Sequence, residues 1–205
     1  MLEFLRAGGP MLWLIIFFGL IGIYVFLEKF FQLRRNQVDV RELVTGLVNN
    51  LKRDSMIEAI TLCDTTPGPV AKLLNAAIQA YQNEDDIKPA IEDIAKTELN
   101  RLESRLGILS TIANVAPLLG LLGTVVGMYH TFNGITVSSG MSVAALSGGV
   151  KEALITTAMG LCVAIPAHLA YNYLVTKVQS LCADMEKASS EILYFFAHRK
   201  EESKK

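Results

Sequence analysis

The sequence predicts an all-α integral membrane protein with three transmembrane helices and long cytoplasmic helical extensions. Two observations carry that expectation. Three uncharged runs, residues 7–27, 106–150 and 153–176, are each long enough to hold a stretch of the about 20 residues that an α-helix needs to cross the hydrocarbon core. Charge is segregated outside them: residues 28–105 carry 11 of the 19 Lys and Arg and 13 of the 20 Asp and Glu, marking a water-soluble insert between lipid-embedded parts. With 51% hydrophobic residues and a net charge of -1, the chain is neither a basic nucleic-acid binder nor an acidic disordered tail.

The first span is Met11 to Leu27, with Trp13 and Tyr24 toward its ends as interfacial aromatics. Glu3 precedes it, no small-residue cleavage site follows, and Glu28, Lys29, Arg34 and Arg35 bound it, so it reads as a retained helix rather than a cleaved signal. Only Arg6 comes before it, whereas Lys29, Arg34, Arg35 and Arg41 follow, which puts the N-terminus outside and the insert in the cytoplasm. Residues 134–145 have no Lys or Arg and the tail from Lys177 has six, in agreement with that orientation.

In the insert, Ser55 to Glu58 reads as a capping box, and Thr65-Thr-Pro-Gly-Pro69 as a turn whose Pro69 opens the next helix. Pro89 is expected to open a long helix, because Ile91, Ile94, Leu99, Leu102, Leu106 and Leu109 keep near-helical spacing into the second span. Unbroken to Phe132, it would reach about 63 Å at 1.5 Å per residue. That second span covers about 106–132, and Asn133-Gly134 through Gly140 reads as an external turn. The third begins after Met141, runs to about Thr176 and continues as an amphipathic tail with Leu181, Met185, Ala188, Ile192 and Phe195 on one stripe. The expected domains are 1–30, a first transmembrane helix; 31–105, a cytoplasmic helical insert; 106–176, two further transmembrane helices; and 177–205, a cytoplasmic tail.

Cofactor chemistry is not indicated. Cys63, Cys162 and Cys182 have no metal-ligand spacing, and the chain carries neither a phosphate-binding loop nor a dinucleotide fingerprint. Ser147-Gly-Gly with a distant His168 is too weak a pattern for a hydrolase, and His130 and His168 near span ends suit interfacial or hydrogen-bonding roles. No enzyme activity is expected.

The spans themselves carry the signal. Asn114, Pro117, Gly120, Thr124, Gly127 and Thr131 recur at steps of three and four, placing small and polar groups on one face. Gly123 and Gly127 form a small-xxx-small pair suited to close helix packing. On the third span Ala153, Thr157, Gly160, Ala164 and Ala167 form a second small-residue stripe, while Glu152 and Thr156 lie together to one side. Pro117 and Pro166 predict kinks. Glu152 opens a charge-free stretch, and an acid at membrane depth costs roughly 2.5 to 3.5 kcal/mol on insertion scales, so it should face protein or a hydrated path unless Lys151 neutralises it at the interface.

The segment Asn114-Val-Ala-Pro-Leu-Leu-Gly-Leu-Leu-Gly-Thr-Val-Val-Gly-Met128, followed by Glu152 through Ala167 and Tyr171-Asn172, resembles the MotA/TolQ/ExbB proton-channel family on its ExbB/TolQ branch. The likeness is sharp over about 106–176. It implies a homopentamer in the bacterial inner membrane, with a periplasmic N-terminus and a cytoplasmic C-terminus, enclosing an ExbD/TolR-like single-span subunit that supplies an aspartate and works with a TonB/TolA-like protein. The family's channel threonines fall on Thr124 and Thr157, and its third-span glutamate on Glu152, with Thr156 a rival for the pore because it lies only about 40 degrees from Glu152 on a helix. Lys151 departs from the small or neutral residue expected beside that glutamate.

The function expected is a proton-channel subunit of an energy-transducing stator that couples proton motive force to transport across the outer membrane through a TonB-type partner. Alternatives are a TolQ-like envelope-maintenance stator and a non-conducting scaffold, the latter of which should tolerate loss of the threonine hydroxyls. A solute transporter would show repeated halves and broken helices, and three spans show neither.

Overall fold

A computed structural model describes residues 8–35, 39–53, 55–137 and 143–202, and all the regular structure in them is helical. Among these residues seven helices follow in order: α1 (Gly9–Arg35), α2 (Val40–Lys52), α3 (Met56–Thr65), α4 (Pro69–Gln82), α5 (Ile87–Glu103), α6 (Leu106–Val137) and α7 (Val143–Glu202). Among the described residues three helical stretches are long and apolar enough to cross a membrane: Gly9–Arg34 in α1, Ile87–Asn133 over α5 and α6, and Ser147–Arg199 in α7. The residues group into two compact units, one formed by the chain up to Glu28 with Arg105–Leu174, the other by Lys29–Ser104 with the chain from Val175.

In the first unit α1 leans on both other spans through glycines. A Cβ at Gly22 would touch Ile112 of α6 at 3.6 Å, and one at Gly19 would meet Val163 of α7 at 3.1 Å. Leu12, Ile15 and Val25 of α1 are buried with Leu109, Ile112 and Ala116 of α6, while Trp13, Phe17, Leu20 and Tyr24 are exposed, as lipid-facing side chains of a span should be. Glu28 pairs with Arg105 at one end of this unit. An apolar cavity of about 510 Å³ lies between the three helices, lined by residues such as Phe26, Leu109, Val163 and Tyr173.

In the second unit α2 to α5 pack with the later part of α7. Leu47, Leu51, Leu73, Leu74 and Ile78 are fully buried, as are Ala188 and Ile192 of α7. Phe196, rather than its neighbour Phe195, enters the core and stacks on Tyr81 with ring centroids 4.3 Å apart. Arg199 donates to the carbonyl of Leu51, satisfying one of the orphan acceptors that end α2. Pro69 does open α4, behind Gly68 at φ 122, a conformation that side-chain-bearing residues rarely adopt. Asp39 caps α2 by accepting from the amides of Arg41 and Glu42, whereas Ser55 makes no side-chain cap to α3, because its φ of -88 and ψ of 69 depart from the extended geometry that aims a capping oxygen.

The long helix expected from residue 89 to 132 is two helices. α5 starts at Ile87, with Pro89 tolerated in its first turn, and ends at Glu103; Arg105 then takes a φ of 67, a left-handed stop. Local chemistry explains the break. Lys29, only 1% exposed, donates its ammonium to the carbonyls of Arg101 and Leu102 at 3.2 and 3.4 Å and to the Ser104 hydroxyl at 3.1 Å, so the carbonyls that would have continued the helix are satisfied by a cation at the helix C-terminus. Apolar periodicity ran through this point because both helices bury the same kind of face. The turn expected at Asn133-Gly134 is helical instead, since α6 extends to Val137; the remainder of that loop up to residue 142 lies outside the described residues, as do Glu3 and Arg6.

Burial and the neighbouring Asp64 carboxylate push the Cys63 thiol up to about 11. At pH 8 about one molecule in a thousand would then carry the reactive thiolate. A maleimide at that pH should leave Cys63 unmodified in the folded protein and label it after denaturation; rapid labelling of the native state would contradict the burial of α3.

Candidate functional site

The site is built on the crossing of α6 and α7. Gly120, Gly123 and Gly127 line one edge of α6; Gly149, Ala153, Thr156 and Gly160 line the edge of α7 that meets it. A Cβ on Gly160 would stand 2.7 Å from the carbonyl of Ala116 and 3.0 Å from the Cα of Gly120, and one on Gly120 would lie 3.1 Å from the Cα of Thr157. A Cβ on Gly127 would come within 2.8 Å of the Gly149 carbonyl. Backbone meets backbone here, which only glycine allows. Ala164 is buried one turn further along α7. Both helices run through their prolines, Pro117 and Pro166, whose missing N–H groups release the carbonyls four residues earlier.

The six residues read as one face of α6 divide. Gly120, Gly127 and Thr131 are buried, Pro117 and Thr124 are half-buried, and Asn114 is exposed. Two successive steps of three each fall about 60 degrees short of a full turn, so Asn114 lies about 120 degrees around from Gly120 and leaves the contact.

The neighbouring threonines of α7 have different surroundings. Thr156 is completely buried, with its side chain filling the space left by Gly123 and its hydroxyl donating to the carbonyls of Glu152 and Ala153. Thr157 is half-buried; its hydroxyl lies 3.1 Å from the Ala153 carbonyl and 3.3 Å from the carbonyl of Gly120 across the crossing. Thr124 is half-buried and donates to Leu121 at 2.6 Å. Thr131 donates to Gly127 and presses on Gly149.

Glu152 sits at the end of this crossing, its side chain 16% exposed. Its carboxylate lies 3.5 Å from Nδ1 of His130 on α6, and it also abuts Gly9 at the N-terminus of α1, where a Cβ would collide with it. The free N–H groups of that helix end carry partial positive charge and favour a carboxylate. Lys151 is exposed, and the side chain beside the Glu152 carboxylate is that of His130. Sequence reasoning gave His130 a hydrogen-bonding or interfacial role but not Glu152 as its partner, and it missed Gly9. Residues 130 and 152 meet only because α6 and α7 are antiparallel neighbours in a particular register, and the only hint of Gly9 was the Gly-Gly-Pro run before the first span. His168 is exposed and far along α7 from this group. Among the described residues no cluster of His, Cys, Asp or Glu has the makings of a metal site.

Residues 66–187, a stretch that contains most of both helices of this crossing, match the model of the MotA/TolQ/ExbB proton channel family. The chain belongs to that family. It is similar to a putative biopolymer transport protein ExbB homolog of Methanothermobacter thermautotrophicus, 33% identical over 179 residues that make up 86% of this chain and 63% of that protein. It is also 32% identical to the biopolymer transport protein ExbB of Neisseria gonorrhoeae over 67% of this chain and 70% of that one. The Tol-Pal system protein TolQ of Haemophilus influenzae is 41% identical over 87 residues, 42% of this chain and 38% of its own length. The matches thus lie on the ExbB/TolQ branch, and this member of the proton channel family is a multi-pass membrane protein.

Because a Cβ on Gly160 would enter the Ala116 carbonyl rather than a movable side chain, Gly160→Val should separate α6 from α7 and cost about 1 to 3 kcal/mol. Thermal unfolding in detergent should show a clear loss of stability, and an unchanged midpoint would refute this packing.

Proposed function

We propose that the chain is the proton-channel subunit of an inner-membrane energy-transducing stator, assembled as a homopentamer around an ExbD/TolR-like single-span subunit and acting on a TonB/TolA-like protein. The observation that carries the reading is the glycine-lined α6–α7 crossing, with Thr124 and Thr157 half-buried along it and Glu152 at its end, in a chain of this family. Two observations support oligomerisation. Three spans are too few to ring a path, and α6 and α7 expose Leu118, Leu121, Val125, Leu154, Leu161 and Ile165 for neighbours or lipid. The basic residues that follow the first span, Lys29, Arg34, Arg35 and Arg41, support a periplasmic N-terminus and cytoplasmic insert and tail, which divides the chain into 1–30, 31–105, 106–176 and 177–205 as first span, insert, channel domain and tail.

In this reading the proton path is hydroxylic. Hydroxyls donate and accept without adding fixed charge to the membrane interior, and one elementary charge crossing 100 mV releases about 2.3 kcal/mol to drive the partner. Neither α6 nor α7 carries an Asp within its span, so the membrane-embedded aspartate is the partner's to supply. Of the adjacent threonines we assign Thr157 to the path and Thr156 to packing, since Thr156 fills the notch at Gly123 whereas Thr157 is partly accessible. Glu152 holds the path's rim. The ExbB-type role coupled to uptake across the outer membrane is the leading assignment, with the TolQ-type role in envelope maintenance separated from it by which partner co-purifies.

A scaffold reading also has an observation behind it, for every one of these threonine hydroxyls bonds a backbone carbonyl of its own helix, as packing threonines do. Valine substitution separates the two. Thr157→Val, and Glu152→Ala, should abolish partner-dependent proton flux in vesicles with normal amounts of assembled protein, Thr124→Val should lower it, and Thr156→Val should be milder. Full flux with Thr124 and Thr157 both replaced would leave only the scaffold.

A further inference from the structure

The channel reading leaves open how protons reach Glu152, and His130 answers it. Its Nδ1 lies 3.5 Å from Oε2 of Glu152, and the two side chains differ in access: 52% of the imidazole is exposed against 16% of the carboxylate. The pair therefore runs from an accessible ring to a shielded carboxylate. It lies at the C-terminal end of α6, beside the start of α1, the end of the membrane unit that faces outward in the orientation proposed above. The surroundings limit other routes. From α1 the contact is Gly9, with no ionisable side chain; α6 presents His130, flanked by Tyr129 with ring centroids 6.3 Å apart; and on α7 itself Lys151 points to the exposed side while Thr156 is buried and neutral. Among the described residues, His130 is the ionisable side chain within reach of the carboxylate.

We propose that His130 is the entry relay of the channel, taking protons from the outer aqueous face and passing them to Glu152. Imidazole suits the task because it accepts and donates protons near neutral pH. The step balances. With Nε2 carrying its hydrogen, Nδ1 takes a proton from hydronium, leaving water; the half-exposed ring then turns to the carboxylate, the Nδ1–H bond breaks and an Oε2–H bond forms. The ring returns to its neutral starting form, and one proton has moved from water to Glu152. At 3.5 Å the pair is at the outer limit of a hydrogen bond, so a small rotation of the ring or one intervening water completes the transfer geometry.

The proposal rests on the channel reading, and its test separates the two. The complex with its single-span partner is reconstituted in vesicles loaded with a pH-sensitive dye, and proton flux is driven by an imposed potential. His130→Asn keeps a polar side chain of similar size but cannot carry the proton, so its flux should fall about 100-fold, the lower end of what a positioned proton-transfer group contributes. His130→Ala should fall as far and recover when imidazole is added to the outer face, above the level that imidazole gives in Glu152→Gln vesicles. Flux at the wild-type level in both His130 variants, with Glu152→Gln inactive, would overturn the relay and leave the channel. A loss in His130→Ala alone, unrescued by imidazole, would overturn it too and make His130 a packing residue. No flux in the wild-type complex would overturn the channel and the relay together.

Discussion

Everything in the membrane unit depends on how closely α6 and α7 approach. Side chains normally hold helices about 8 to 10 Å apart. At Gly120, Gly127, Gly149 and Gly160 there is no side chain to do so, and a single added carbon at Gly160 would sit 2.7 Å from a carbonyl oxygen. In lipid this matters more than in water, because apolar burial drives little association there and packing contacts must do the work. The contact also fixes rotation: with Gly120 against the backbone at Thr156 and Thr157, neither helix can turn without driving a larger side chain into the seam.

That fixed rotation sorts the polar groups. It sends Thr156 into the notch at Gly123, where its hydroxyl is consumed by its own helix, and leaves Thr157 beside it partly accessible. It also brings the ends of the two helices into register so that Glu152 meets His130, with the start of α1 closing over the carboxylate at Gly9. A carboxylate in such a place has an imidazole and a helix N-terminus for company, which offsets the cost of holding charge away from bulk water. The proposed path uses what this arrangement leaves over: hydroxyls along the seam, a carboxylate at its mouth and an imidazole between that carboxylate and water. In the other unit Lys29 has an analogous controlling part, since its buried ammonium ends α5 where apolar periodicity alone would have carried the helix on.

The spans were legible in the sequence because lipid imposes a coarse rule, uncharged runs of sufficient length, that the runs ending at Leu27 and Thr176 obey plainly. The glycine and threonine spacings likewise pointed to α6 and α7 as the pair that matters. What the sequence hid depends on geometry between elements. The stop at Arg105 requires a lysine from position 29, and the Glu152–His130 pairing requires the register of α6 against α7. The single-face reading of α6 failed at Asn114 because repeated steps of three precess around a helix of 3.6 residues per turn. Phe196 and Phe195 could not be separated by a loose stripe, since the choice is made by Tyr81 on α4.

The central claim is that α6 and α7 touch backbone to backbone at Gly120 and Gly160 within one copy of the chain. Solid-state NMR of the protein in lipid bilayers, with glycine Cα carbons labelled, tests it without altering a residue. A cross-peak between Gly120 and Gly160 should appear at mixing times that report near-neighbour carbons, and it should persist when labelled chains are diluted with unlabelled ones. Its absence, or its loss on dilution, would mean that the seam does not exist or joins different copies, and the account of the threonines, Glu152 and His130 built on it would fall.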